Sequence, residues 1–187
     1  MPRSFPLLHL AACSVVTALA VCTVKVARAE ASSWFAASGG PAWLSEHKSS
    51  YEVAPSMQLD LGVGSPPSHP AVVGGLFRTT TFFSHGTDLA LLIRATTRGF
   101  TTGQWGLALD AGGYARWWGK NSTGPIGAIS FGMPFALTLT VQGAVGSNDH
   151  RTFGAFLGID LLRLTVYRLG AENHWPNPRP AWRPEHR

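Results

Sequence analysis

The chain has 187 residues, a formal net charge of +5 and only 13% charged residues, well below the roughly one quarter usual for soluble domains. The excess positive charge lies in residues 1–29 and at the C-terminal end; residues 30–174 hold nine basic and nine acidic side chains. Nucleic-acid binders concentrate basic charge on the folded domain, so that class is excluded. Both cysteines, Cys13 and Cys22, precede residue 30, which leaves the rest of the chain without disulfide or thiolate chemistry.

Residues 1–29 read as an export signal. Arg3 precedes the apolar run "LLHLAACSVVTALAVCTV" (7–24), and "ARA" (27–29) is a small-x-small cleavage site before Glu30. The run is long enough to leave an uncleaved anchor open. Residues 30–56, with "SGGPAW" and "SEHKSSYEVAPS", read as an irregular N-terminal segment or arm.

From residue 57 the pattern has period two. "MQLDLGVG" (57–64) sets Met57, Leu59, Leu61 and Val63 against Gln58 and Asp60. "AVVGGLFRTTTFF" (71–83) is rich in β-formers, but its faces are ambiguous, and Gly74–Gly75 suggests a bulge. "TDLALLIRATTR" (87–98) opposes Leu89, Leu91 and Ile93 to Asp88, Arg94 and Arg98. "GQWGLALDAGGYARWW" (103–118) opposes Trp105, Leu107, Leu109 and Trp117 to Asp110, Tyr114 and Arg116. "IGAISFGM" (126–133) is apolar and weakly patterned, while "PFALTLTVQGAVG" (134–146) alternates again. The run 152–170 shifts parity near Leu161–Leu162, which suggests a bulge or two joined strands. Residues 171–187 hold four prolines and read as a tail without regular structure.

Alternation alone does not say which face points inward. A soluble sandwich buries its apolar face; a membrane barrel turns it to lipid and keeps the polar face in the lumen. Three magnitudes favour the inverted arrangement. The runs match the 9–11 residues or so of a membrane strand better than the 5–6 or so common in soluble sheets. Trp105 and Trp117 share parity and are 12 residues apart. At about 3.3 Å per residue and a tilt of about 40° this is roughly 30 Å, near the thickness of a bilayer core. Glycines inside the runs weaken a soluble strand but help to fill a narrow barrel.

On these features, residues 57–170 resemble the small outer-membrane β-barrels of Gram-negative bacteria. The resemblance rests on export signal, long alternating strands and aromatic ends, not on a specific motif. It implies an all-β fold: an antiparallel up-and-down barrel of about eight strands, inserted in a lipid bilayer. Seven runs are visible, so an eighth strand is expected from residues 43–55 or from division of 152–170. The class commonly ends on a strand with a terminal aromatic residue; this chain ends "RPEHR", so its tail is an extension.

The inverted reading assigns Trp105 and Trp117 to the membrane interface. It gathers Asp60, Asp88, Arg94, Arg98, Asp110, Tyr114, Arg116 and Asp160, with Arg78 as a further candidate, into a lumenal polar network. Opposite charges there must pair, because an unpaired buried charge is very costly. Adjacent strand residues face opposite ways, so Trp118 points to the lumen mouth and is the candidate ligand contact. No phosphate loop, nucleophile elbow or metal-spaced histidine pair is present. Ser84, His85 and Asp88 are close in sequence but lack triad spacing. The expectation is a non-enzymatic barrel with a structural, adhesive or small-solute role. No cofactor, metal or nucleic acid is expected, and the partners are the bilayer and a small solute or envelope component. Two alternatives remain open. One is a secreted or periplasmic soluble β-fold that binds an apolar or carbohydrate ligand. The other is an outer-membrane lipid-modifying enzyme using Ser84, His85 and His150.

Overall fold

The computed structural model describes residues 31–45, 50–67 and 69–165. The expected export signal (1–29) and proline-containing tail (171–187) lie outside the described residues. Eight strands follow in chain order: β1 (Ser32–Ser45), β2 (Glu52–Gly64), β3 (Ala71–Phe82), β4 (Gly86–Thr97), β5 (Gly106–Arg116), β6 (Ser122–Gly132), β7 (Leu137–Val145) and β8 (Arg151–Asp160). Each pairs antiparallel with its sequence neighbour, and β8 pairs with β1 to close the barrel. The topology is up-and-down, as the resemblance implies.

The missing eighth strand starts upstream of the expected 43–55 and overlaps it only at Trp43–Ser45. It is β1, inside the segment 30–56 that the sequence presents as irregular. Its middle, Ala36-Ala37-Ser38-Gly39-Gly40-Pro41, has almost no apolar contrast between faces, so a pattern search finds nothing. Pairing on both sides, with β2 and with β8, holds it extended. β2 also starts earlier than residue 57, at Glu52. Among the described residues the strands of the barrel therefore run from Ser32 to Asp160, beginning well before residue 57.

The parity shift near Leu161–Leu162 marks neither a bulge nor a second strand. β8 ends at Asp160, whose Oδ1 accepts the backbone N–H groups of Leu162 (3.0 Å) and Arg163 (3.3 Å). An aspartate in that position caps a helix, and α2 (Leu161–Thr165) follows. The other short helix, α1 (Arg98–Thr102), is capped by Thr97, whose Oγ1 accepts from the N–H of Phe100. The suspected bulge at Gly74–Gly75 is also absent: Val63↔Gly75 and Gly64↔Gly74 are regular rungs, as are Leu91↔Gly113 and Leu92↔Gly112 on the next strand pair.

The registers fix the barrel's dimensions. From Ile126 one line of rungs passes through Gly112, Leu92, Leu76 and Gly62 to Trp34. The other way it passes through Ala144 and Thr152 to Leu44. Both ends lie on β1, ten residues apart, which is the shear of the barrel. With strands about 4.8 Å apart and about 3.3 Å per residue, this gives a tilt of about 40° and a backbone radius of about 8 Å. The 11 residues of β5 then rise about 27 Å along the axis.

Burial alternates along most of each strand, and the polar face is inside. Leu91 (70% exposed), Ile93 (66%) and Val63 (65%) face outward. Arg78 (0%) and Arg116 (1%) face inward. The two ends differ. At one, the α mouth, β1 begins and β8 ends, and α1 and α2 lie there. At the other, the turn mouth, sit the turns 83–85 and 117–121 and the single helical turn Ser147–Asp149.

Candidate functional site: the polar lumen and its two mouths

The middle of the lumen is an alternating square of charge built from four consecutive strands. Asp60 on β2 lies directly opposite Arg78 on β3, and Arg94 on β4 directly opposite Asp110 on β5. Such rung partners sit close enough for their side chains to interact. Arg78 holds Asp60 with both ends of its fork, Nε to Oδ1 and Nη2 to Oδ2, each 2.7 Å. Its Nη2 also reaches Asp110 Oδ2 at 2.8 Å. Arg94 holds Asp110 through Nε (2.7 Å) and Nη2 (2.8 Å), and touches Asp60 Oδ2 at 3.1 Å. Gln58 donates to Asp60, and Gln142 accepts from Arg78. Charge-assisted, forked bonds of this kind are the strongest hydrogen bonds a protein makes. In a barrel of this radius the interior is just wide enough for such side chains.

Towards the turn mouth a second pair repeats the arrangement. Asp88 on β4 is the rung partner of Arg116 on β5. Arg116 donates from Nε (2.8 Å) and Nη2 (2.7 Å) to the two carboxylate oxygens, and from Nη2 to Thr152 Oγ1 at 3.0 Å. Trp118 closes this end. Its Nε1 donates to Asp88 Oδ1 at 3.0 Å, and its ring lies 4.2 Å from the Arg116 guanidinium carbon, against Phe82 and His85. Gly86 makes the room, since a Cβ there would run into the Trp118 indole.

At the α mouth the lumen is lined by Trp34, Val72, Phe100 and Ala108. Gly62 and Gly64 leave space for the Trp34 ring. α2 turns Arg163 back into this end, where it is 1% exposed. The guanidinium carbons of Arg94 and Arg163 each stand 5.6 Å from the centre of the Phe100 ring. Arg163 Nε is 3.3 Å from Asp160 Oδ2, and no nitrogen of its fork makes a hydrogen bond. Burial pushes the Arg163 guanidinium below its ordinary range; Asp160 opposes this, and the neighbouring positive charge of Arg94 adds to it.

Of the residues assigned to the network from sequence, Asp60, Asp88, Arg94, Asp110, Tyr114, Arg116 and Asp160 all lie in the lumen. Tyr114 bonds to Ser122 rather than to a charge. Arg98 does not join them. The alternation that carries Asp88 and Arg94 inward ends at Thr96, and Arg98 opens α1 on the exposed side. Arg78, the further candidate, lies in the lumen as well, on a strand whose faces are ambiguous in the sequence. Two further members are absent from the sequence expectation. Arg163 sits beyond a parity change that hides the helix. Gln142 is on a clearly alternating strand and could have been included. Trp105 and Trp117 stand just outside the two ends of β5 and are exposed at 63% and 62%. Trp118, the candidate ligand contact, already has its indole N–H and one ring face engaged.

The remaining candidate chemistry is dispersed. Ser84 takes a left-handed backbone (φ 71°) in the β3–β4 turn. His85 turns its Nε2 towards Glu52 at 3.4 Å, and His150 is buried near the same mouth. Among the described residues no three histidine, cysteine or carboxylate side chains cluster as metal ligands. No family model, no curated protein and no solved structure matches the chain.

Proposed function

We propose that the chain is a membrane-embedded, non-enzymatic β-barrel of an outer-membrane type, with a structural or adhesive role rather than a conducting one. One observation carries this reading: the barrel is inverted. Its ion pairs are inside, and its outer wall is a continuous band of Leu, Ile, Val and Phe. Contiguous exposed apolar surface on this scale marks a membrane or protein contact. A closed barrel is one of only two backbone arrangements that satisfy all their hydrogen bonds in lipid.

Further features support it. The rise of β5 is close to the thickness of a bilayer core. Aromatic residues stand at both rims: Trp43 packs on Phe153 (5.7 Å) near the turn mouth, and Trp105 on Phe131 (5.4 Å) near the α mouth. A shallow outer groove of about 540 Å³, centred on Gly75 and walled by Leu61, Val63, Phe77 and Leu91, has the character of an acyl-chain contact. A structural role suits a lumen filled by buried arginines better than conduction does.

Fractionation tests the proposal. The chain is expected in the detergent-extracted envelope fraction, and unheated samples are expected to migrate differently from boiled ones in detergent gels. Recovery of folded chain from the periplasm in plain buffer would overturn it.

A further inference from the structure

The geometry points to a binding site for a small oxyanion at the α mouth, held by the fork of Arg163. Arg163 Nε, Nη1 and Nη2 and Trp34 Nε1 are all buried without a hydrogen-bond acceptor. Buried donors are almost always partnered, and a buried guanidinium with no acceptor calls for an explanation such as a bound ion. The deficit is specific. Asp160 is the only carboxylate in contact with Arg163 among the described residues, and its Oδ1 is occupied by the backbone N–H groups of Leu162 and Arg163. Its Oδ2 stands at 3.3 Å from Nε, without hydrogen-bond alignment. Nη1 and Nη2 are therefore left as a pair of parallel donors.

A guanidinium fork matches two oxygens of a phosphate or carboxylate. The surroundings favour negative charge. Arg94 stands against the same Phe100 ring, and its own carboxylate partners, Asp110 and Asp60, lie towards the middle of the lumen. The narrow lumen admits only a small group. A phosphate ester at a lipid headgroup and free inorganic phosphate present the same oxygens. This inference does not depend on the membrane reading, since it uses only lumenal donors.

The test uses the folded full-length chain in uncharged detergent micelles. Thermal unfolding is followed by tryptophan fluorescence against inorganic phosphate, with sodium chloride matched for ionic strength. A saturable rise in Tm is expected, roughly 5–10 °C at a hundredfold excess over Kd. Arg163→Gln should abolish the rise, whereas Arg98→Gln, on the exposed start of α1, should keep it. A second arm replaces phosphate by micelles doped with phosphatidylglycerol: a response there but not to free phosphate assigns the oxyanion to a headgroup. If Arg163→Gln does not fold, a phosphorus NMR titration of the native chain decides, with one saturable site expected. A response no larger than that to chloride in both arms, or an undiminished response in Arg163→Gln, overturns the proposal.

Discussion

At the turn mouth Arg116 meets both oxygens of Asp88 and the hydroxyl of Thr152, with Trp118 stacked over it. At the α mouth Arg163, equally buried, has one loose contact with Asp160 and a fork with no acceptor. Both are arginine–aspartate pairs in the same lumen. The difference lies in what places the partners. Asp88 and Arg116 are rung partners on neighbouring strands, so the sheet itself aligns carboxylate and fork. Asp160 and Arg163 are three residues apart across a strand-to-helix junction, and the helix takes one carboxylate oxygen as its cap. A register can deliver a complete ion pair; a cap divides the carboxylate and leaves the arginine available.

The largest test lies between the mouths. Arg78→Met removes the fork shared by Asp60 and Asp110 and should destabilise the barrel by about 3–5 kcal/mol, because two buried carboxylates lose a partner. Urea unfolding followed by tryptophan fluorescence measures it, and a loss below about 1 kcal/mol would mean that the central square is not a unit. Next comes the direct comparison of mouths. In phosphate-free buffer Arg116→Met should cost about 3 kcal/mol and Arg163→Met less than about 1, since only the first breaks a satisfied buried pair. Equal losses would remove the distinction drawn above. Smaller again, Trp118→Phe keeps a ring over Arg116 but deletes the bond to Asp88. About 1–1.5 kcal/mol is expected, at the low end for a bond to a charged group because the indole is only partly buried. The outer wall serves as the control. A Cβ at Gly75 meets no atom within 4 Å, so Gly75→Ala should stay within about 0.5 kcal/mol, and a larger loss would show that the outer groove carries packing of its own.

Most of the lumenal charges are legible because β2, β4 and β5 each announce their polar face by alternation. Asp60, Asp88, Arg94, Asp110 and Arg116 follow from parity alone. Parity failed where its physical basis is weak. β1 has small residues on both faces, so its extension depends on two neighbours and not on its own pattern. Arg98 continues the parity of β4, but the helix cap at Thr97 ends the strand one residue earlier. Arg163 falls after a second cap, at Asp160, where period two no longer applies. Pairing was also out of reach. Arg78 and Asp110 are 32 residues apart in sequence and 2.8 Å apart in the lumen.

By itself the sequence determined two-faced strands of barrel length, the separation of charge from apolar side chains, and tryptophans beyond both ends of β5. These are local properties, set by the opposite directions of successive side chains on an extended chain. Strand length and tryptophan spacing already favour the polar face as the inner one; only the tertiary structure decided that β1 closes the ring and which arginine meets which aspartate. Closure depends on the sum of eight registers, and the shear of ten that results sets the radius at which those arginines and aspartates can meet across the lumen.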